Sequence, residues 1–326
     1  MPNIRLNPKF VTHTKINSLW EQIILPLDSH LPSASDPPQF LDEVPDNELG
    51  KYGISRVPFD FEIKNYDSNN TEYPPVLFCP FLNQSSTDIQ PTRPSWILRL
   101  LSFVTIILLQ ILRLLIGVSG IHGTVLWKFI AILLHGLVGP IQEGEYLHLT
   151  LSYATILPAN VFLLGGGFEN FRLPFYGSWQ ARAVLEYREN DKLHHPHVIL
   201  ITLQSCNGQE DSMLMGELAP IIEAMKNHAD QPRVLEGDDE EKLFEALEND
   251  PTIRKELAFA QGTRFPILMA SLLGPQHARL FYACMDNDQL VIRQSKLFSF
   301  EKGATAPWDF FACWLLSRPL PEYAAE

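Results

Sequence analysis

Cysteine is scarce in this chain of 326 residues: Cys79, Cys206, Cys284 and Cys313 lie far apart, and none belongs to a CxxC pair. That excludes a disulfide framework and leaves no zinc-ligand spacing, so a reducing compartment is expected for the C-terminal half. Basic residues are also short, 25 Lys and Arg against 38 Asp and Glu, for a formal net charge of −13. Neutralising phosphates requires clustered cations, so no nucleic-acid partner is expected. Much of the acid excess sits in 236–256, EGDDEEKLFEALENDPTIRKE, which reads as a loop and a solvated helical face. No apolar run follows the basic residues of MPNIRLNPKFVTHTK, and no cleaved signal peptide is expected. GxGxxG and P-loop patterns are missing, and the run Gly165–Gly166–Gly167 fits neither. No Asp-rich pair suited to magnesium and diphosphate accompanies His122, His135 and His148, so no cofactor is implied.

The chain does have contrast between its regions. Apolar residues reach 46%, enough for a sizeable core. Residues 1–94 are rich in Pro, Asn, Asp and Ser, and SHLPSASDPPQFLDEVPDNELGKYG is punctuated like a loop. INSLWEQIILPL, from Ile16, has helical spacing that Pro26 should end, whereas YPPVLFCPF carries too much proline for a central strand. This region reads as a largely irregular arm with a few anchoring contacts.

Residues 95–171 form a hydrophobic region. Between Arg99 and Arg172 the only charges are Arg113, Lys128, Glu143, Glu145 and Glu169. Leu100 to Val118 is long enough, as a helix rising 1.5 Å per residue, to span about 30 Å of hydrocarbon. Arg113 lies close enough to its end to snorkel. FIAILLHGLVGPIQ is shorter, and YLHLTLSYATILPANVFLLGGGF is interrupted by Pro158 and three glycines. The region is expected to be helical and membrane-associated, with one to three segments and the lipid bilayer as its partner. Arg93 and Arg99 precede the first segment, which by the positive-inside rule puts the arm in the cytosol and, with a returning segment, the C-terminal domain as well.

Residues 172–326 read as an α+β domain, a mixed or antiparallel sheet with flanking helices. SWQARAVLEY alternates like a half-exposed strand, and HVILITLQS is an unbroken aliphatic run suited to a buried one. In GQEDSMLMGELAPIIEAMKNH, Leu214, Leu218, Ile221, Ile222 and Met225 make one helical stripe, with Asp211 or Ser212 as the expected N-cap and, at Pro220, a kink or the meeting of two short helices. HARLFYACM and QLVIRQSKLFSF flank a hairpin turn, and PWDFFACWLLSRP should form a closing helix that begins at Pro307.

LQSCNGQED, Leu203 to Asp211, lies where a strand hands over to a helix, a position that often carries function. Cys206 there is a candidate nucleophile, with His277 or one of His194, His195 and His197 as base. The competing structural account is a turn in which Asn207–Gly208 supplies a positive φ and Asp211 caps the helix. HHPH (His194 to His197) is a weak metal candidate, because no carboxylate or cysteine completes a shell. Glu186 on one strand and Gln204 on the next, with a helix following, resemble the order of a restriction-endonuclease-like core. That active site needs an acid and then an (acid)-x-Lys; this chain has Thr202–Leu203–Gln204 instead.

Residues from about 180 to 302, especially VILITLQSCNGQEDSMLMGELAPIIEAM and FPILMASLLGPQHARLFYACMDNDQLVIRQSKLFSFEK, resemble a block of uncharacterised proteins of filamentous fungi. The resemblance implies a shared domain and no activity. Three readings follow. The first is a membrane-associated binding or scaffold protein that engages a protein or small-molecule partner. The second is a hydrolase or transferase with its site at 203–211, and the third a degenerate restriction-endonuclease-like fold without catalysis.

Overall fold

Three aliphatic runs, Ile267–Gly274, His277–Asp286 and Gln289–Gln294, form the middle of the molecule, and their apolar side chains are buried on both faces. Such runs suit a sheet covered on both sides. The computed structural model describes residues 8–25, 43–62, 75–80, 145–151, 179–189, 192–234, 256–274, 276–302 and 304–320. In chain order these give α1 (Pro8–Leu19, continued by a π-helical turn Trp20–Ile24), β1 (Glu43–Val44), α2 (Asp46–Lys51), β2 (Ile54–Pro58) and β3 (Phe78–Cys79). There follow β4 (Glu145–Leu151), β5 (Trp179–Glu189), β6 (Lys192–Asn207), β7 (Met213–Leu214) and α3 (Met215–Ala229). The C-terminal part holds β8 (Ile267–Gly274), β9 (His277–Asp286), β10 (Gln289–Gln294), β11 (Phe298–Ser299), α4 (Trp308–Leu315) and β12 (Arg318–Pro319).

The main sheet runs β2-β10-β9-β8-β6-β5-β4, with β11 added to β9. Two of its pairings are parallel, β2 with β10 and β6 with β8; the others are antiparallel. The architecture is therefore α+β with a mixed sheet. α3 supplies the crossover that a parallel β6–β8 neighbour pair requires. Asn287, at φ 56°, makes the expected tight turn between β9 and β10.

One face packs Val198, Leu200, Ile267, Met269 and Phe281 against Leu218, Ile221, Ile222 and Met225 of α3 and Ile16 and Ile23 of the N-terminal helix. The other packs Ile199, Ile201, Leu268, Leu280 and Tyr282 against Leu77 and Phe78, Phe61, and Phe311 and Trp314 of α4. The predicted stripe of α3 is buried throughout. Two pieces of the stretch read as an irregular arm, 8–25 and 43–62, are built into this body: α1 covers the sheet, and β2 is one of its strands.

Three local expectations need correction. Glu145–Leu151, from the region expected to be helical, is a strand paired with β5. Its leucines at 147, 149 and 151 recur every second residue, the period of a strand, so repetition outweighs mere apolarity. Leu100–Val118 lies outside the described residues, and among those described no helix is long and apolar enough to cross a membrane. The strand expected to start at His197 starts earlier, so that the whole of HHPH belongs to β6, and His197 is buried.

The third correction is that no two short helices meet at Pro220, which lies inside a continuous α3 of 15 residues. Proline has no N–H to give the carbonyl four residues back, here that of Gly216. Gln204 of β6 replaces it, its Nε2–H donating to Gly216 O at 2.8 Å. The helix comes so close to the sheet at this point that a Cβ on Gly216 would collide with Gln204 Oε1 and stand 2.7 Å from Trp179 Cβ. Gly50 in α2 has nothing within 4 Å of its would-be Cβ. Gly216→Ala is therefore expected to cost about 1–3 kcal/mol by overpacking. Gly50→Ala should be neutral or stabilise by up to about 1 kcal/mol through helix propensity. Urea denaturation of both variants checks the contrast.

Candidate functional site

β6 leaves the sheet at Asn207, and the chain turns through 208–212 before entering β7 and α3. The side chains of Asn207, Gln209, Glu210 and Asp211 are exposed, while the carbonyls behind them point inward. Arg279 of β9 donates from Nη1 to Gln209 O (2.6 Å) and Ser212 O (3.0 Å). Gln294 of β10 donates from Nε2 to Glu210 O (3.0 Å) and Ser212 O (3.2 Å). Arg56 of β2 donates from Nη2 to Asp211 O (2.5 Å). Donors from three strands thus occupy four successive carbonyls.

The remaining guanidinium edge of Arg279 meets Glu217 in the first turn of α3, Nε to Oε1 at 2.8 Å and Nη2 to Oε2. Both side chains are fully buried. Glu217 Oε2 also accepts the Leu214 N–H at 2.9 Å, so this carboxylate, and not Asp211 or Ser212, satisfies the start of the helix. Arg56 is held by Asp46 (Nε to Oδ1 2.7 Å, Nη2 to Oδ2 2.9 Å) and contacts Gln294 Oε1 at 3.3 Å. Gly208 does not have a positive φ; it is small because a Cβ there would stand 2.9 Å from Leu273 Cδ2 and 3.4 Å from Arg279 Nη2.

The sequence candidates fall around this turn without converging. Cys206, partly exposed and in no disulfide, sits near the end of β6, and Asn207 pairs with Gly274 of β8. His277 opens β9 opposite Leu273, at the same end of the sheet. β8 therefore separates the two backbones by two strand spacings, about 10 Å. A nucleophile and its base need hydrogen-bond reach, and no hydrogen bond joins this pair. Glu186 lies opposite Val198 on β6, whereas Gln204 lies opposite Trp179. Six residues of strand, about 20 Å, separate those two positions. Glu186 Oε1 instead accepts from His228 Nε2–H (3.1 Å) at the far end of α3, where the imidazole stacks on Phe259.

On the opposite face His195 and His197 stand 5.8 Å apart between ring centroids. His197 Nε2–H donates to Leu77 O at 3.0 Å, and burial pushes its pKa down to about 3. That nitrogen is committed to a backbone carbonyl; the side chain of His194 lies outside the described residues. Among the described residues no group of three His, Cys, Asp or Glu could hold a metal ion.

Sequence reasoning passed over Arg56, Glu217, His228, Arg279 and Gln294. Their signal was available: a charge inside an aliphatic run, as in HARLFYACM or MLMGELAP, must find a buried partner.

Because Gln204 replaces the donor that Pro220 lacks, the two positions should be coupled. Gln204→Ala is expected to cost about 1–3 kcal/mol by orphaning the Gly216 carbonyl. In a Pro220→Ala background the helix regains its own N–H, and the same substitution should cost less than half as much. A double-mutant cycle by chemical denaturation measures the coupling. No protein-family model, no curated protein and no solved structure matches this chain.

Proposed function

We propose that this chain is a membrane-associated binding or scaffold protein whose α+β body does no chemistry at its strand-to-helix turn. The observation that carries the reading is the saturation of 209–212: every carbonyl there has an internal donor, and the neighbouring Gln204 amide is engaged with Gly216. A turn so fixed presents Asn207, Gln209, Glu210 and Asp211 on a rigid backing, which suits recognition of a partner. The anchoring half rests on the length and apolarity of Leu100–Val118, and the cytosolic placement on Arg93 and Arg99.

A second reading, a restriction-endonuclease-like scaffold without catalysis, draws on a specific feature. The antiparallel series β4–β5–β6 is followed by α3 and by β8, parallel to β6, and helices lie on both sides of the sheet. Thr202–Leu203–Gln204 still lacks the carboxylate and lysine that such a site needs to hold magnesium.

Full-length protein expressed in a filamentous fungus should remain in the membrane pellet after carbonate extraction. A chain lacking 100–118 should move to the supernatant; full-length protein in the supernatant would remove the anchor. With labelled DNA and magnesium or manganese, the purified chain should give no cleavage. Cleavage abolished by Glu186→Gln would overturn the non-catalytic reading.

A further inference from the structure

We propose that residues 75–80 are an acid-released strap, latched onto the sheet by the neutral imidazole of His197. The strap contains β3, whose two residues pair with β12. Its Leu77 and Phe78 are buried over the sheet face opposite α3. Two side chains of that face hold it. The Tyr282 hydroxyl accepts the Leu77 N–H at 3.2 Å and donates to Pro75 O at 2.9 Å. His197 donates from Nε2 to Leu77 O, which also accepts the Leu320 N–H at 3.1 Å.

The Leu77 carbonyl by itself favours a charged donor, but burial of the imidazole outweighs it and keeps the ring neutral. Its Nδ1 is buried and, among the described residues, has no hydrogen-bond partner. As an acceptor left idle this costs little, but as a protonated donor it would be a buried charge without an acceptor. The surrounding groups make the charged form worse. His195 of the same strand lies at 5.8 Å, Phe78 of the strap presents its ring at 5.0 Å, and His228 acts across the sheet from α3. Tyr187 of β5 packs on His195, and Tyr282 of β9 is held neutral by burial. Glu186 of β5 is turned to the other face and engaged with His228. At the strap's outer end stand exposed Cys79 and, opposite it in register, Arg318 of β12.

The sign follows from the direction of the shift. A histidine whose pKa is lower in the docked state favours docking fully above its free value of 6.5. That contribution is lost as pH falls from 6.5 toward about 3. Released, the strap would bare Leu77, Phe78 and the apolar face beneath, close in sequence to Leu100–Val118.

Hydrogen exchange on the full chain tests this, with rates corrected for the intrinsic pH dependence of exchange. Between pH 7 and pH 4 the protection of the Leu77 and Leu320 amides should fall roughly a hundredfold, since each unit of pKa difference gives about tenfold. Amides of β8, such as Leu268 and Ala270, should keep theirs. His197→Gln retains a donor and cannot titrate, so its strap should show the same protection at both pH values. Tyr282→Phe should loosen the strap at every pH without changing the slope. Unchanged protection in the unmodified chain would overturn the proposal. So would simultaneous loss in β8, or a pH dependence that survives His197→Gln.

Discussion

The guanidinium of Arg279 and the carboxylate of Glu217 are both removed entirely from solvent, and much of the molecule is arranged to make that tolerable. Arginine cannot shed its charge, so its burial demands a carboxylate and an acceptor for each remaining N–H. Glu217 fills one edge of the fork, and Gln209 O and Ser212 O fill another. Meeting those demands fixes the path of 208–212 and brings Glu217 to the Leu214 N–H, which begins α3. Removing one member of such a pair strands the other, a loss of about 3–5 kcal/mol in comparable cases. The pair therefore defines the geometry of the strand-to-helix junction more than it adds net stability.

The same junction carries a second constraint from the opposite end of the helix's first turns. Pro220 should break α3, yet the helix continues because Gln204 reaches out of β6 to the orphaned carbonyl. That reach requires close approach, and close approach requires glycine at 216. Gln204, Gly216 and Pro220 are thus one device spread over 17 positions of sequence. Together with Arg279–Glu217 it ties α3 to β6 and to β9, and the two ties leave the helix one angle at which to cross the sheet.

Elements with a strong local period were legible from sequence. The aliphatic run of β6, the stripe of α3, the β9–β10 hairpin and the helix after Pro307 all announce themselves within about ten residues. What stayed hidden depends on distant pairing. β2 is five residues, ISRVP, set among loops, and it becomes a strand only because β10, more than 230 residues later, offers a parallel edge. Loop closure of that length leaves no local trace. β4 was hidden by its own apolarity, since leucines suit helix and strand alike and only their alternation with His148 and Thr150 decides. The start of β6 was hidden for a related reason: Pro196 suggested a boundary, but the strand simply runs through it.

At the candidate site, the side chains that stand out in the sequence and those that fix the structure are different residues. Cys206 and the histidines stand out because those side chains can react. The structure gives weight to residues that hold the turn still. The difference is physical: a reactive group needs an unsatisfied valence and a neighbour within reach, whereas a turn needs its carbonyls filled. At 203–217 the donors and acceptors close on one another, through Arg56, Gln204, Glu217, Arg279 and Gln294. Such closure favours a surface whose outward side chains keep one arrangement, because ordering a loop upon binding costs affinity that a preset loop keeps. The bonds cited for the turn engage its carbonyls and leave the side chains of Asn207, Gln209, Glu210 and Asp211 out of that fixing set.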